Sequence, residues 1–220
     1  MDILDTLRVS ILMAFRALPV LLISFVAFLA IGLGNMGMFV LSIGQIVLVP
    51  LATAILHLIT GSMFTSGDRS AYVQGSDVVQ LVSSMSSRGF VNVLPSYWMQ
   101  HVLFFFGYLV ANGVGLYRLP QEKGVSDILY DNRRAKARAV IIVSVLAAVA
   151  FTYFRFQTGA EVWRGVALAF VTGGGLGYGW YQFAEYCGAR HADVFGVAPS
   201  MVPVSAKDEK AMTCVYAPKP

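Results

Sequence analysis

Charge is what this sequence lacks. Asp, Glu, Lys and Arg make up 13% of its 220 residues, about half the ~25% of an ordinary soluble domain. With 57% hydrophobic residues and a mean hydropathy of +0.67, the chain cannot cover a water-facing surface. Its apolar residues need lipid as their solvent. Cysteine is scarce too: Cys187 and Cys214 form no metal-ligand pattern and no disulfide framework. Basic residues do not alternate with aromatics, so nucleic-acid binding has no support. The sequence contains no G-x-S-x-G, no H-E-x-x-H, no Walker A lysine and no paired acidic motif, so neither an enzyme nor a cofactor is expected.

What is there is five long apolar runs, at residues 17–34, 36–60, 96–117, 139–154 and 165–183. A helix needs about 20 residues to cross a bilayer core. Strands of a membrane barrel would alternate apolar and polar residues over about 10 positions. These runs are continuous, which predicts an all-α polytopic bundle of about five spans over residues 1–183, followed by an irregular tail over 184–220. Gly32-Leu33-Gly34-Asn35-Met36-Gly37 joins the first two runs and predicts a tight antiparallel hairpin. A cleaved signal peptide is disfavoured, because Asp2 and Asp5 offset Arg8 and Arg16 and no A-x-A site follows. Leu4, Leu7, Ile11 and Phe15 predict an amphipathic lead-in helix. Val78, Leu81, Val82 and Met85 predict a short surface helix within the polar 61–95 loop.

The basic residues divide unevenly between the two sides of a five-span bundle. Six arginines fall with the N-terminus, whereas ten lysines and arginines, including every lysine, fall with the 118–138 loop and the tail. The positive-inside rule then places the C-terminus in the cytoplasm and the N-terminus outside. Arg133, Arg134, Lys136 and Arg138 stand just before the fourth run and are expected to meet anionic lipid headgroups. Phe195, Val197, Met201 and Val202 offer the tail an apolar surface for a partner or the membrane.

No acid interrupts any of the five runs, and histidine is the only base within them. That weighs against ion-coupled carriers, which hold their coupling charge on a buried carboxylate. The intramembrane polar residues are Gln45, His57, Gln100, His101 and Asn112. Hydrogen bonds between helices account for Gln45 and Asn112, each worth about 0.6–2 kcal/mol, while His57 and His101 are expected as interface histidines, since two histidines without a carboxylate make a poor metal site. Pro50 is expected to kink the second run.

The glycine-rich VTGGGLGYGW, Val171–Trp180, admits three readings. A dinucleotide loop fails because Tyr178 takes the place of the third glycine and no strand precedes it. A potassium filter fails because Gly175 replaces the threonine and no span follows. The third reading is helix packing. Gly165, Ala169, Gly173 and Gly177 fall four apart, with Gly175 and Gly179 forming a second pair. The third run offers Gly107, Ala111 and Gly115 as a matching stripe. The third and fifth runs are therefore expected to pack closely, or the fifth to pair with a second copy, with Trp180, Tyr181 and Phe183 as interfacial anchors.

Three strings together, at residues 94–120, 173–181 and 187–197, resemble uncharacterised multi-spanning membrane proteins of nucleocytoplasmic large DNA viruses of algae and protists. The resemblance implies a component of the internal virion membrane, or of the host membrane that becomes it, with membrane or capsid proteins as neighbours. It transfers no active-site residue. The leading expectation is a structural or assembly protein of the membrane. The alternative is a small channel or transporter, with Gln45, His57, His101 and Asn112 lining a polar path.

Overall fold

The computed structural model describes residues 14–15, 17–60, 95–121, 127–157, 161, 163–188 and 193–195. The expected lead-in helix before Ala14, the surface helix within 61–94, the His57 side chain and the tail beyond Phe195 lie outside the described residues. Within them the chain is all-helical, with five helices. Helix α1 is Leu18–Leu33. Helix α2 starts as Met36–Ile43, passes through a π-helical turn at Gly44–Leu48 and continues as Val49–Thr60. Helix α3 is Tyr97–Arg118 and α4 is Asp127–Gln157. Helix α5 runs from Trp163–Ala169 through a second π-helical turn at Phe170–Gly174 into Gly175–Cys187.

Three of these, α2 over Met36–Leu56, α3 and α4, are long and apolar enough to cross a membrane. Helix α1 is apolar but has 16 residues, about 24 Å at a rise of about 1.5 Å each. Helix α4 has 31 residues, about 46 Å by the same rise, and starts a dozen residues before the apolar run at 139–154. Hydropathy alone could not place that start, because Asp127–Arg138 is charged yet rich in good helix formers.

Local chemistry explains the helix ends. Gly34 closes α1 in the left-handed region at φ 61°, where a side chain would be strained. Asn35 follows as the N-cap of α2, its Oδ1 accepting from the Met38 N–H at 3.1 Å. Its Nδ2 donates to the carbonyl of Val194 at 3.1 Å, tying the segment beyond α5 to the hairpin. Gly37 lies flat against the Asp193 backbone with no room for a Cβ. Ser96 caps α3 by accepting from Met99 N–H at 3.2 Å.

Helix α3 is the centre of the molecule. Trp98, Met99, Val102, Phe104 and Tyr108 along it are fully buried, and α1, α2, α4 and α5 all pack against it. The outer faces are the apolar ones: Phe28 and Ile31 on α1, Ile142, Val143, Leu146 and Val149 on α4, and Phe170 and Val171 on α5 are exposed. Continuous apolar surface of this extent is a liability in water and a match for lipid.

The α3–α5 seam is made by missing side chains. A Cβ built on Gly173 would stand 2.8 Å from Gln100 Oε1, and one on Gly177 would collide with the Phe104 carbonyl. A Cβ on Gly107 would stand 2.5 Å from the Gly174 carbonyl, and Gly115 is covered by the Tyr181 hydroxyl. Gly165, Ala169 and Ala111 are buried along the same seam. Gly175 and Gly179 take no part in the α3 seam, for a Cβ on either meets nothing within 4 Å. At 3.6 residues per turn, a shift of two residues points to the opposite side of the helix. They line an open apolar groove of about 580 Å³ with Leu48, Ala52 and Ile55 of α2.

This asymmetry gives a prediction. Gly177→Ala forces α5 off the α3 backbone and is expected to lower stability by about 1–3 kcal/mol. Gly179→Ala gains helix propensity in open space and is expected to be neutral or mildly stabilising, by at most about 1 kcal/mol. Detergent-titrated unfolding of the two variants side by side measures the difference.

Candidate functional site

The two helical irregularities, one in α2 and one in α5, face the same pair of residues on α3. In α2, Pro50 has no N–H to offer the carbonyl four residues back, and its ring crowds that carbonyl. The π-helical turn at Gly44–Leu48 widens the helix just before it, where the sequence reading expected a kink. Gly44 at its start lies between Phe104 and Trp180; a Cβ there would stand 2.6 Å from one ring and 2.7 Å from the other. One turn upstream, the Val40 carbonyl accepts from Trp180 Nε1 at 2.8 Å, so α5 supplies a donor to α2. In α5, Thr172 sits within the π-helical turn and its Oγ1 donates to the Leu168 carbonyl at 2.7 Å. Turns of this kind recur at functional sites.

Between them α3 presents Gln100 and His101. Gln45 reaches across from α2, its Nε2 donating to the His101 carbonyl at 3.1 Å while its Oε1 lies 2.9 Å from His101 Nδ1. Only one amide orientation satisfies both contacts. Because Oε1 can only accept, His101 carries its proton on Nδ1. The ring also lies against Tyr97, with centroids 5.1 Å apart. On the other flank, Gln100 Nε2 donates to Thr172 Oγ1 at 2.6 Å. Gln45 and Gln100 are 1% exposed and His101 is 5% exposed. Further along α3, Asn112 is fully buried and hydrogen-bonds the Tyr181 hydroxyl, and Tyr181 meets Tyr108 edge to face at 5.6 Å.

The expected intramembrane polar residues thus divide. Gln45 and His101 come together, Asn112 joins a separate pair with Tyr181, and α2 carries His57 well away from Gln45 in sequence. The three aromatics expected as interfacial anchors face different ways. Trp180 and Tyr181 turn into the bundle, drawn by the Val40 carbonyl and by Asn112, while Phe183 is exposed and stacks on Trp180 at 5.3 Å.

The basic cluster is also redistributed. Arg133 is buried, its Nη2 donating to the carbonyls of Leu119 and Pro120 beyond the end of α3, with its guanidinium 4.9 Å from the Tyr130 ring. Arg134 donates to the Tyr117 hydroxyl at 2.7 Å and lies 4.4 Å over that ring. A cation over carbonyls left open at a helix C-terminus is favourable. Lys136 and Arg138 remain exposed. The nearby Tyr117 and Tyr130 were the signal in the sequence that two of the four arginines and lysines had protein partners.

Arg155, in the last turn of α4, had a place in the sequence reading only through the charge count, and Glu161, in the connection that follows, had none. Both are 3% exposed. Arg155 lies 4.9 Å over the Trp98 ring, whose Nε1 donates to the Phe15 carbonyl at 2.9 Å. Among the described residues no three His, Cys, Asp or Glu side chains converge as a metal would require. No protein-family model, curated protein or solved structure matches the chain.

The Gln45–His101 pair generates a prediction. Gln45→Leu leaves a buried ring N–H and a carbonyl short of a partner, at a penalty of about 1–3 kcal/mol. A double-mutant cycle pairing Gln45→Leu with His101→Leu is expected to give a coupling of about 0.6–2 kcal/mol, whereas Gln45→Leu with Asn112→Leu is expected to be additive.

Proposed function

We propose that this chain is an integral membrane protein of structural or assembly type, a five-span bundle held by α3. Three helices suited to crossing a membrane support the location. Helix α5 is continuous over Trp163–Cys187, which gives it length to span, and α1 is short enough to need tilt or local thinning. The single observation that carries the reading is that the interior polar side chains are turned to neighbouring helices. Gln45, Gln100, His101 and Asn112 are almost wholly buried, and each bonds a neighbouring helix. A conduit would need such groups to line a hydrated path. The groove along α2 and α5 is apolar and open outward, as a lipid-facing surface is.

In this reading Lys136 and Arg138 meet anionic headgroups on the cytoplasmic side, with the tail and the connection after α3 facing neighbouring proteins there. The viral resemblance would make the membrane that of a virion or its host precursor. Vesicles reconstituted with the protein are expected to leak protons, potassium and small solutes no faster than empty vesicles, and Gln45→Leu or Asn112→Leu to leave that baseline unchanged. Flux above background that either substitution abolishes would replace the structural reading with a transport one.

A further inference from the structure

Glu161 is buried where a carboxylate is expensive to keep. It lies in the connection between α4 and α5, against the N-terminal turn of α3, and is 3% exposed. Neither carboxyl oxygen completes a hydrogen bond, although the Ser96 hydroxyl and backbone N–H face it. Arg155 at the end of α4 is the charged group that acts on it among the described residues. Two other polar groups at this end among the described residues are turned elsewhere: Tyr97 of α3 lies against His101, and Arg164 of α5 lies 5.6 Å over Trp163. The guanidinium of Arg155 rests over Trp98, which holds it within the apolar layer that Phe15 closes from above.

Two influences favour the anion, namely the Arg155 charge and the N-terminal end of α3. Burial opposes them, because an ionised carboxylate without hydrogen bonds loses its hydration and gains little in return. We propose that Glu161 is a proton-binding site. With its proton it stays buried between Ser96 and Arg155, and on losing the proton it turns out to water and loosens the contact between the ends of α3 and α4. The step is a simple exchange: the carboxyl O–H gives its proton to water, and the carboxylate left behind gains hydration by moving outward. Arg155 stays charged throughout.

Burial holds the Glu161 carboxyl above the ordinary carboxylate value, against the opposing pull of Ser96 and Arg155. A folded-state pKa raised above the unfolded one adds stability that is fully present below the unfolded pKa. That stability is lost as pH rises through the folded value. This end of the bundle is therefore tightest in acid.

The test compares the full-length wild type with Glu161→Gln in lipid nanodiscs. The melting temperature of the wild type is expected to fall by several degrees as the pH is raised above the ordinary carboxylate range, while Glu161→Gln, a fixed mimic of the protonated form, lacks that component of the fall. Infrared difference spectra on raising the pH are expected to show the wild type losing a protonated-carboxyl C=O band that Glu161→Gln lacks. Superimposable pH profiles would overturn the proposal. So would a Glu161→Gln protein that is unstable at every pH, or the absence of the carboxyl band, since each would make Glu161 a permanently ionised partner of Arg155.

Discussion

The fold depends on how closely the backbones of α3 and α5 approach. Where Gly173 and Gly177 meet Gln100 and Phe104, no side chain separates the two helices. In a bilayer there is no hydrophobic drive between helices, because lipid tails are as apolar as leucine, so association must come from packing and hydrogen bonds. The glycine seam supplies the packing. It also brings the π-helical turn of α5 close enough for Thr172 to accept from Gln100, and it lets Trp180 cross to the Val40 carbonyl of α2. Once α3 and α5 are paired, α2 has a fixed groove to enter, and Gln45 finds His101.

A second constraint shapes the polar residues. A buried donor or acceptor in apolar surroundings is costly unless a partner within the protein meets it. Helix α3 carries the polar side chains and lies at the centre, while the purely apolar faces of α1 and α4 lie outside. The serine and threonine hydroxyls along α2 and α5 follow the same rule by bonding carbonyls four residues back: Ser42 to Met38, Thr53 to Val49 and Thr172 to Leu168. The ends of the bundle use charge instead. Arg133 and Arg134 close one end against α3, and Arg155 with Glu161 lies at the other.

Much of this was legible in the residues. Apart from the charged first third of α4, the helix ranges follow the apolar runs because a long uninterrupted run has one solution in lipid, and Gly34-Asn35 spells its own turn. The small-residue stripe ending at Gly177 was visible at a spacing of four. What could not be read was direction. Gly175 and Gly179 share that spacing, and only the rotation of α5 about its axis decides which glycines touch α3. Likewise Arg133 and Lys136 are neighbours in a basic string, yet Arg133 is buried and Lys136 exposed because of where Leu119 and Pro120 end. The π-helical turns depend on contacts between helices, and a single run of residues does not contain them.

The central claim is that the polar heart of the bundle is dry and holds helices together. Water-edited solid-state NMR in lipid bilayers tests it directly, by following magnetisation from water to assigned side chains. The side-chain signals of Gln45, Gln100, His101 and Asn112 are predicted to stay dark at mixing times that fully light Lys136 and Arg138. If those four side chains instead light together with the exposed basic residues, the interior is a hydrated path, and the account of this protein as a packed membrane scaffold is wrong.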